Sequence, residues 1–143
     1  MKIIIETIPH NQQRYETCGD WWVDPDGTIQ IRVSNLKVTG ESGEFCVGLH
    51  EMVEVFLALK RGVTVQQVDD FDKAFEAERE RKIANAKTEA EKEMLLIDEP
   101  GDDPACPIVK EHNLASGIER TVASFLGIDW KSYGTEIEHL SKE

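Results

Sequence analysis

Three polar side chains interrupt an otherwise apolar run, and their types and spacing define the chemistry open to this chain. Residues 45–59 read Phe-Cys-Val-Gly-Leu-His-Glu-Met-Val-Glu-Val-Phe-Leu-Ala-Leu, with His50, Glu51 and Glu54 as the polar members. A helix that is apolar on all sides is normally buried. Two carboxylates and an imidazole inside it need partners, because a buried polar group left unpaired costs about 1–3 kcal/mol. A divalent metal ion, with zinc as the first candidate, would partner all of them. His50 and Glu54 are four apart, so they share a helix face, one turn from each other. By that spacing one helix gives two ligands to one ion. Glu51 stands off that face, where a general base for an ion-activated water would sit. A buried polar network without an ion is the plainer account of the same residues.

Further candidates lie downstream. His112 and Glu119 are seven apart, which puts them on one side of a later helix, with Ala115 between them. His50, Glu54 and His112 make a set of two imidazoles and one carboxylate, the composition of a catalytic zinc site that keeps a fourth position for water. Glu119 is either a further ligand or an acceptor that fixes the ring of His50 or His112. The plainer reading makes His112 a surface residue and pairs Glu119 with Arg120 or a lysine. Cys46 shares the His50 stripe and is either a thiolate or, as is commoner, a small buried apolar group. Asp69, Asp72 and Glu76 form a carboxylate stripe that suits a second metal or a basic partner, or is simply solvated. Asp102 and Asp103 could reach the site from a loop or only shape a turn.

These residues need elements to position them. Ile3–Thr7 reads as a short strand and Arg14–Val23 as a second. Asp24-Pro25-Asp26-Gly27 is a turn, and Thr28–Val33 alternates as a third strand. Trp21 and Trp22 must then face opposite sides of the sheet. The buried His/Glu helix is expected over 44–61, closed by Arg61-Gly62. Thr64 and Gln67 form a capping box opening a helix over 64–95, charged in its second half and interruptible near Asn85. Three prolines make 98–107 a loop. A third helix spans 108–126, and Trp130 and Tyr133 in the tail pack back. The expectation is one α+β domain over 1–143: a small antiparallel sheet (1–36) packed on a buried helix, with two further helices.

Composition bounds the function. A net charge of −12 and a pI of about 4.7 argue against nucleic-acid binding through a basic surface and suit a protein that attracts cations. Three cysteines without a Cys-x-x-Cys spacing argue against a disulfide framework or a zinc ribbon and favour a cytoplasmic setting. The N-terminal apolar run is too short for a signal peptide, and no run has the length of a membrane span.

The order of strand hairpin, helix with His50-Glu51-Met-Val-Glu54, and later helix with His112 resembles a minimal zincin metallopeptidase. The resemblance implies that His50 binds zinc, that Glu51 is the catalytic base, and that Thr28–Val33 is an edge strand aligning a peptide substrate. The zincin helix carries a second histidine where this chain has Glu54, and the added negative charge makes a zinc-activated water a weaker acid. The chain is also similar to a group of small phage and prophage proteins. It shares with them Gly19-Asp20-Trp21-Trp22, Asp26-Gly27-Thr28, Leu49-His50-Glu51, Val68-Asp69 and Glu111-His112. That likeness brings no activity with it. Two functions therefore stand side by side. One is a metal-dependent hydrolase or peptidase. The other is a phage accessory protein, working in the host cytoplasm, that binds a peptide or protein partner and uses its His/Glu cluster structurally.

Overall fold

A computed structural model describes residues 1–140. Three strands, β1 (Ile3–Ile8), β2 (Gly19–Val23) and β3 (Ile29–Ser34), precede five α-helices: α1 (Gly40–Arg61), α2 (Val65–Asn85), α3 (Glu89–Ile97), α4 (Val109–Phe125) and α5 (Trp130–Leu140). The class is α+β, as expected. Short 3-10 turns follow β1 (His10–Gln12) and α3 (Pro100–Asp102).

The sheet is mixed rather than wholly antiparallel. β2 and β3 form the expected hairpin around Gly27, whose φ of 84° is the left-handed turn position that glycine adopts freely. β1 takes the other edge of β3 and runs parallel to it, giving the order β1-β3-β2. The segment between Ile8 and Ile29, with β2 inside it, is long enough for the crossover that a parallel pair requires. Apolar alternation marks a strand but is silent on which edge it joins. β3 is consequently hydrogen-bonded on both sides, so Thr28–Val33 is not a free edge that could align a peptide.

β3 is the centre of the core: Ile29, Ile31 and Val33 are all buried. The register pairs Trp21 with Ile31, which sends the Trp21 ring to the same inner face. Trp22 points the other way and lies between the guanidinium groups of Arg14 and Arg32, 4.7 and 5.2 Å from its ring. α1 packs across the inner face. Gly48 permits the approach, since a Cβ there would lie 3.0 Å from the Ile5 side chain. Gly62, left-handed at φ 85°, ends the helix where expected.

Helix α1 begins at Gly40, four residues before its expected start at 44, and Glu136 accepts bonds from the Val38 and Thr39 backbone N–H groups just ahead of it. The helix expected over 64–95, interruptible near Asn85, is two helices that part there. Thr64 and Gln67 form the capping box of the first, and Thr88 and Glu91 form a second box that restarts the chain after Asn85. The strand expected over Arg14–Val23 begins only at Gly19. The tail, described to Leu140, holds a helix that was not expected: Asp129 accepts from the Ser132 N–H and opens α5, which buries Tyr133. No described helix is long and apolar enough to cross a membrane.

Candidate metal centre

α1 and α4 pack along each other and build the site. Ala115, with no exposed surface, lies between His112 and Glu119 on α4 and lets the two helices approach closely. His50, Glu54, His112 and Glu119 are all buried at this contact.

Three atoms converge there. His50 Nε2 is 3.2 Å from His112 Nδ1 and 3.3 Å from Glu54 Oε2. His112 Nδ1 is 3.0 Å from the same Glu54 oxygen. Zinc binds such ligands at about 2.0–2.2 Å, so neighbouring ligand atoms in a tetrahedral site stand about 3.3–3.5 Å apart. The triangle has nearly those edges. His50, Glu54 and His112 form a group that could hold a divalent ion.

The outer atom of each of these residues has its own partner. His50 Nδ1 is 2.8 Å from Glu119 Oε2. Glu119 is held in turn by the Tyr133 hydroxyl, which donates to Oε1 at 2.5 Å. The Trp21 indole N–H donates to Glu54 Oε1 at 3.1 Å. His112 Nε2 is 3.3 Å from Asp102 Oδ1, on the Pro100–Asp102 turn. Carboxylate partners on the far nitrogens of ligating histidines orient the rings and raise their basicity.

Charge in the cluster follows from these contacts. Against burial, which lowers it, hydrogen bonds to Glu119 and Glu54 push the His50 pKa up to about 11. Against burial, which raises it, bonds from His112, His50 and Trp21 hold Glu54 down to about 2. Burial likewise opposes the rise at His112, where the bond to Glu54 prevails. The protein by itself thus stores an imidazolium between two carboxylates at the point where the ligand atoms meet.

Glu51 behaves differently. Among the described residues, no hydrogen-bond donor reaches its carboxylate. Burial first, and then the charge of Glu54, push its pKa well above the ordinary carboxylate range. Its carboxylate fills the space over Gly19, where a Cβ would meet Oε1 at 2.2 Å. Glu51, His50, Glu54 and His112 line one cavity of about 250 Å³, with Asp72 on its α2 wall. Burial and the neighbouring Glu54 and Asp69 raise the Asp72 carboxyl to about 7.

The structure brings together His50, Glu54 and His112 and sets Glu119 one contact further out, against the far nitrogen of His50. Cys46 is buried in the core with its thiol pKa raised by burial, the state of an apolar filler rather than a thiolate. Glu111, beside His112 in sequence, is taken up by an ion pair with Arg61 at 2.5 Å. Sequence reasoning missed the roles of Trp21 and Tyr133. Strand alternation could have given the first, since one of the two tryptophans had to face inward, but the partner of Tyr133 depends on how α5 docks. No family model matches this chain, and no curated protein or solved structure matches it.

Proposed function

We propose that this chain is a metal-dependent hydrolase. In this reading His50, Glu54 and His112 hold a divalent ion, zinc being favoured by the donor set, and Glu51 is the general base. The observation that carries it is the convergence of three potential ligand atoms in a cavity that an unpartnered, raised carboxylate also lines. Three protein ligands leave a coordination position for substrate or water, which is how catalytic sites differ from closed structural ones. The ion would supply Lewis acidity toward a carbonyl or phosphoryl oxygen. Glu51 has the properties of a base for neutral pH, since an ordinary carboxylate is too weak to hold a proton there. Glu119, through the Tyr133 bond, keeps the His50 ring aimed inward, and Trp21 does the same for Glu54.

The order His50-Glu51-Met-Val-Glu54 in the middle of α1, which resembles the zincin pattern, supports this division of roles. The central place of β3 argues against a peptide lying along it, so the reaction class is metal-dependent hydrolysis, and peptide is one substrate among several to screen. A phage origin fits the similarities noted in the sequence and bears on neither role.

Elemental analysis of protein purified without a histidine tag tests the ion, with near-stoichiometric zinc or another divalent metal expected. Less than about a tenth of an equivalent, with no thermal stabilisation on adding zinc, would overturn the proposal, since a ligand that binds only the folded state must raise its stability. Screening peptide, ester, amide and phosphoester libraries tests the chemistry. Glu51→Gln should keep the metal and lower turnover about 100-fold or more, the scale of a general base. An unchanged rate in that variant would remove Glu51 from the mechanism.

A further inference from the structure

Helix α1 is apolar around most of its middle, a pattern normally kept for a helix buried on all sides, yet only part of its circumference is covered. The sheet packs against Gly48, and α4 against His50 and Glu54. The remaining side carries Phe45, Leu49, Met52, Phe56 and Leu59, which follow one another at four, three, four and three residues. That is the strict seam of a helix that packs along another helix. Phe45 is 58% exposed, and Leu49 and Phe56 are half-buried.

α4 widens the same face. The pairs His50–Glu119 and Glu54–His112 show that the two helices run antiparallel. Leu114, Ile118 and Phe125 recur at four and seven residues, on the flank of α4 turned away from the cavity and from the Glu119–Tyr133 contact. Leu114 is 52% exposed and Phe125 91%. α1 has 22 residues and is about 33 Å long, and two packed helices are about 20 Å across, so the face covers about 600 Å². Monomers rarely leave a contiguous apolar patch of this size without a use, and a stable interface takes about 800 Å² from each partner.

We propose that a second copy of this chain docks on this face, with α1 lying antiparallel on α1 across a two-fold axis near Met52. The seam is its own complement in spacing and in charge. The axis sets Phe45 against Leu59 of the other copy, and Leu49 against Phe56. Between Phe45 and Leu59 the seam holds no charge, while the two ends of the helix hold opposite ones: Glu41 in the first turn and Lys60 in the last, both exposed. Among the described residues, neither has an ion-pair partner. The antiparallel arrangement brings each Glu41 to the end where the other copy's Lys60 lies. A parallel one would oppose like charges and like helix-dipole ends. An isologous contact closes on itself, so assembly stops at two copies. The cavity lies on the other side of the α1/α4 pair and stays open, and the dimer does not depend on the metal-binding reading.

Sedimentation equilibrium of the full chain over a range of concentrations tests the proposal. A reversible dimer, twice the 16.2 kDa mass of the chain, is expected. Phe45→Glu should weaken dimerisation about 30-fold or more, the scale of losing a central anchor. Its circular dichroism should be unchanged, because the ring is exposed. Leu114→Glu asks the same of α4 and serves if the first variant fails to fold. Glu41→Lys and Lys60→Glu should each weaken the dimer about 3- to 10-fold at low salt, since a two-fold axis makes each contact twice, and the two together should restore it. A wild type that stays monomeric, whether or not it binds phosphatidylcholine vesicles through this face, would overturn the proposal. So would a dimer indifferent to both apolar variants, charge reversals that do not rescue each other, or growth beyond two copies.

Discussion

Metal binding to this site must be strongly linked to protons, and the size of the linkage follows from His50. Its pKa is raised to about 11 because its two nitrogens meet Glu119 and Glu54. At pH 7 the ring therefore holds its proton. An ion that takes Nε2 must expel that proton. Each bound ion should release at least one proton near pH 7, and more where His112 is also charged. Apparent affinity should rise about tenfold per pH unit, so moving from about pH 6 to about pH 8 should tighten binding at least about 100-fold. Calorimetry in two buffers of different ionisation enthalpy counts the protons, and competition against a coloured chelator across that range gives the slope. Binding that releases no proton and keeps one affinity across the same range would refute the assignment of His50 as a ligand. His50→Leu offers a second check: it should abolish metal binding and also destabilise the metal-free fold, because buried Glu54 and Glu119 both lose the partner between them.

The same contacts set other expectations. In the metal-free protein, the raised His50 contributes stability fully below its unfolded pKa of about 6.5 and loses it as pH rises toward 11, while the lowered Glu54 contributes above about 4.5 and loses it as pH falls toward 2. Urea titrations should therefore place the stability contributed by this pair at its maximum between those two unfolded values. Asp72, raised to about 7, has the opposite sign for an acid: its charge is disfavoured in the folded state, so stability falls as pH rises through the interval from 3.8 to 7. Asp72→Asn should raise the melting temperature at about pH 8 and leave it unchanged at about pH 3, and equal effects at both would count against the cavity electrostatics. Tyr133→Phe removes the hydroxyl that donates to the buried Glu119 carboxyl and should cost about 1–3 kcal/mol by chemical denaturation. Gly19→Ala forces the Glu51 carboxylate aside and should lower hydrolytic turnover while leaving zinc content intact.

Much of the site was legible because it obeys local rules. His50 and Glu54 follow from helical spacing inside an apolar run, and His112 with Glu119 from the same periodicity on α4. That the two helices meet along these faces could be inferred only from the need of buried polar groups for partners. The parts that were not legible are those that depend on topology. β1 has the same alternation whether it joins the hairpin antiparallel or crosses to the far edge of β3. Tyr133 reads as an aromatic on a short polar tail until α5 docks and carries its hydroxyl to Glu119. The division of the long charged helix was legible, in contrast: it was expected near Asn85 and falls at residues 86–88, where Thr88 and Glu91 cap a new start.

The charge balance explains how one fold can serve with and without an ion. In the metal-free protein, the centre of the cluster holds a protonated His50 between Glu54 and Glu119, with His112 drawn toward protonation by the same carboxylate. A divalent ion entering the triangle would replace one or two protons and leave the local charge nearly the same. The hydrogen bonds of Trp21, Tyr133 and Asp102 lie on the outer atoms of the ligands and need not change. Buried carboxylates that would be costly alone are neutralised in both states. Glu51 is the exception, because no proton donor or cation among the described residues of the cluster is paired with it. Burial first, and then the charge of Glu54, raise its pKa, with no hydrogen bond to offset them. A carboxylate that exists only for stability would be expected to join the network that satisfies its neighbours, since Glu54, one turn away on the same helix, does so with both oxygens. Its isolation beside the ligand triangle is the feature that a structural metal site would not require and a hydrolytic one would.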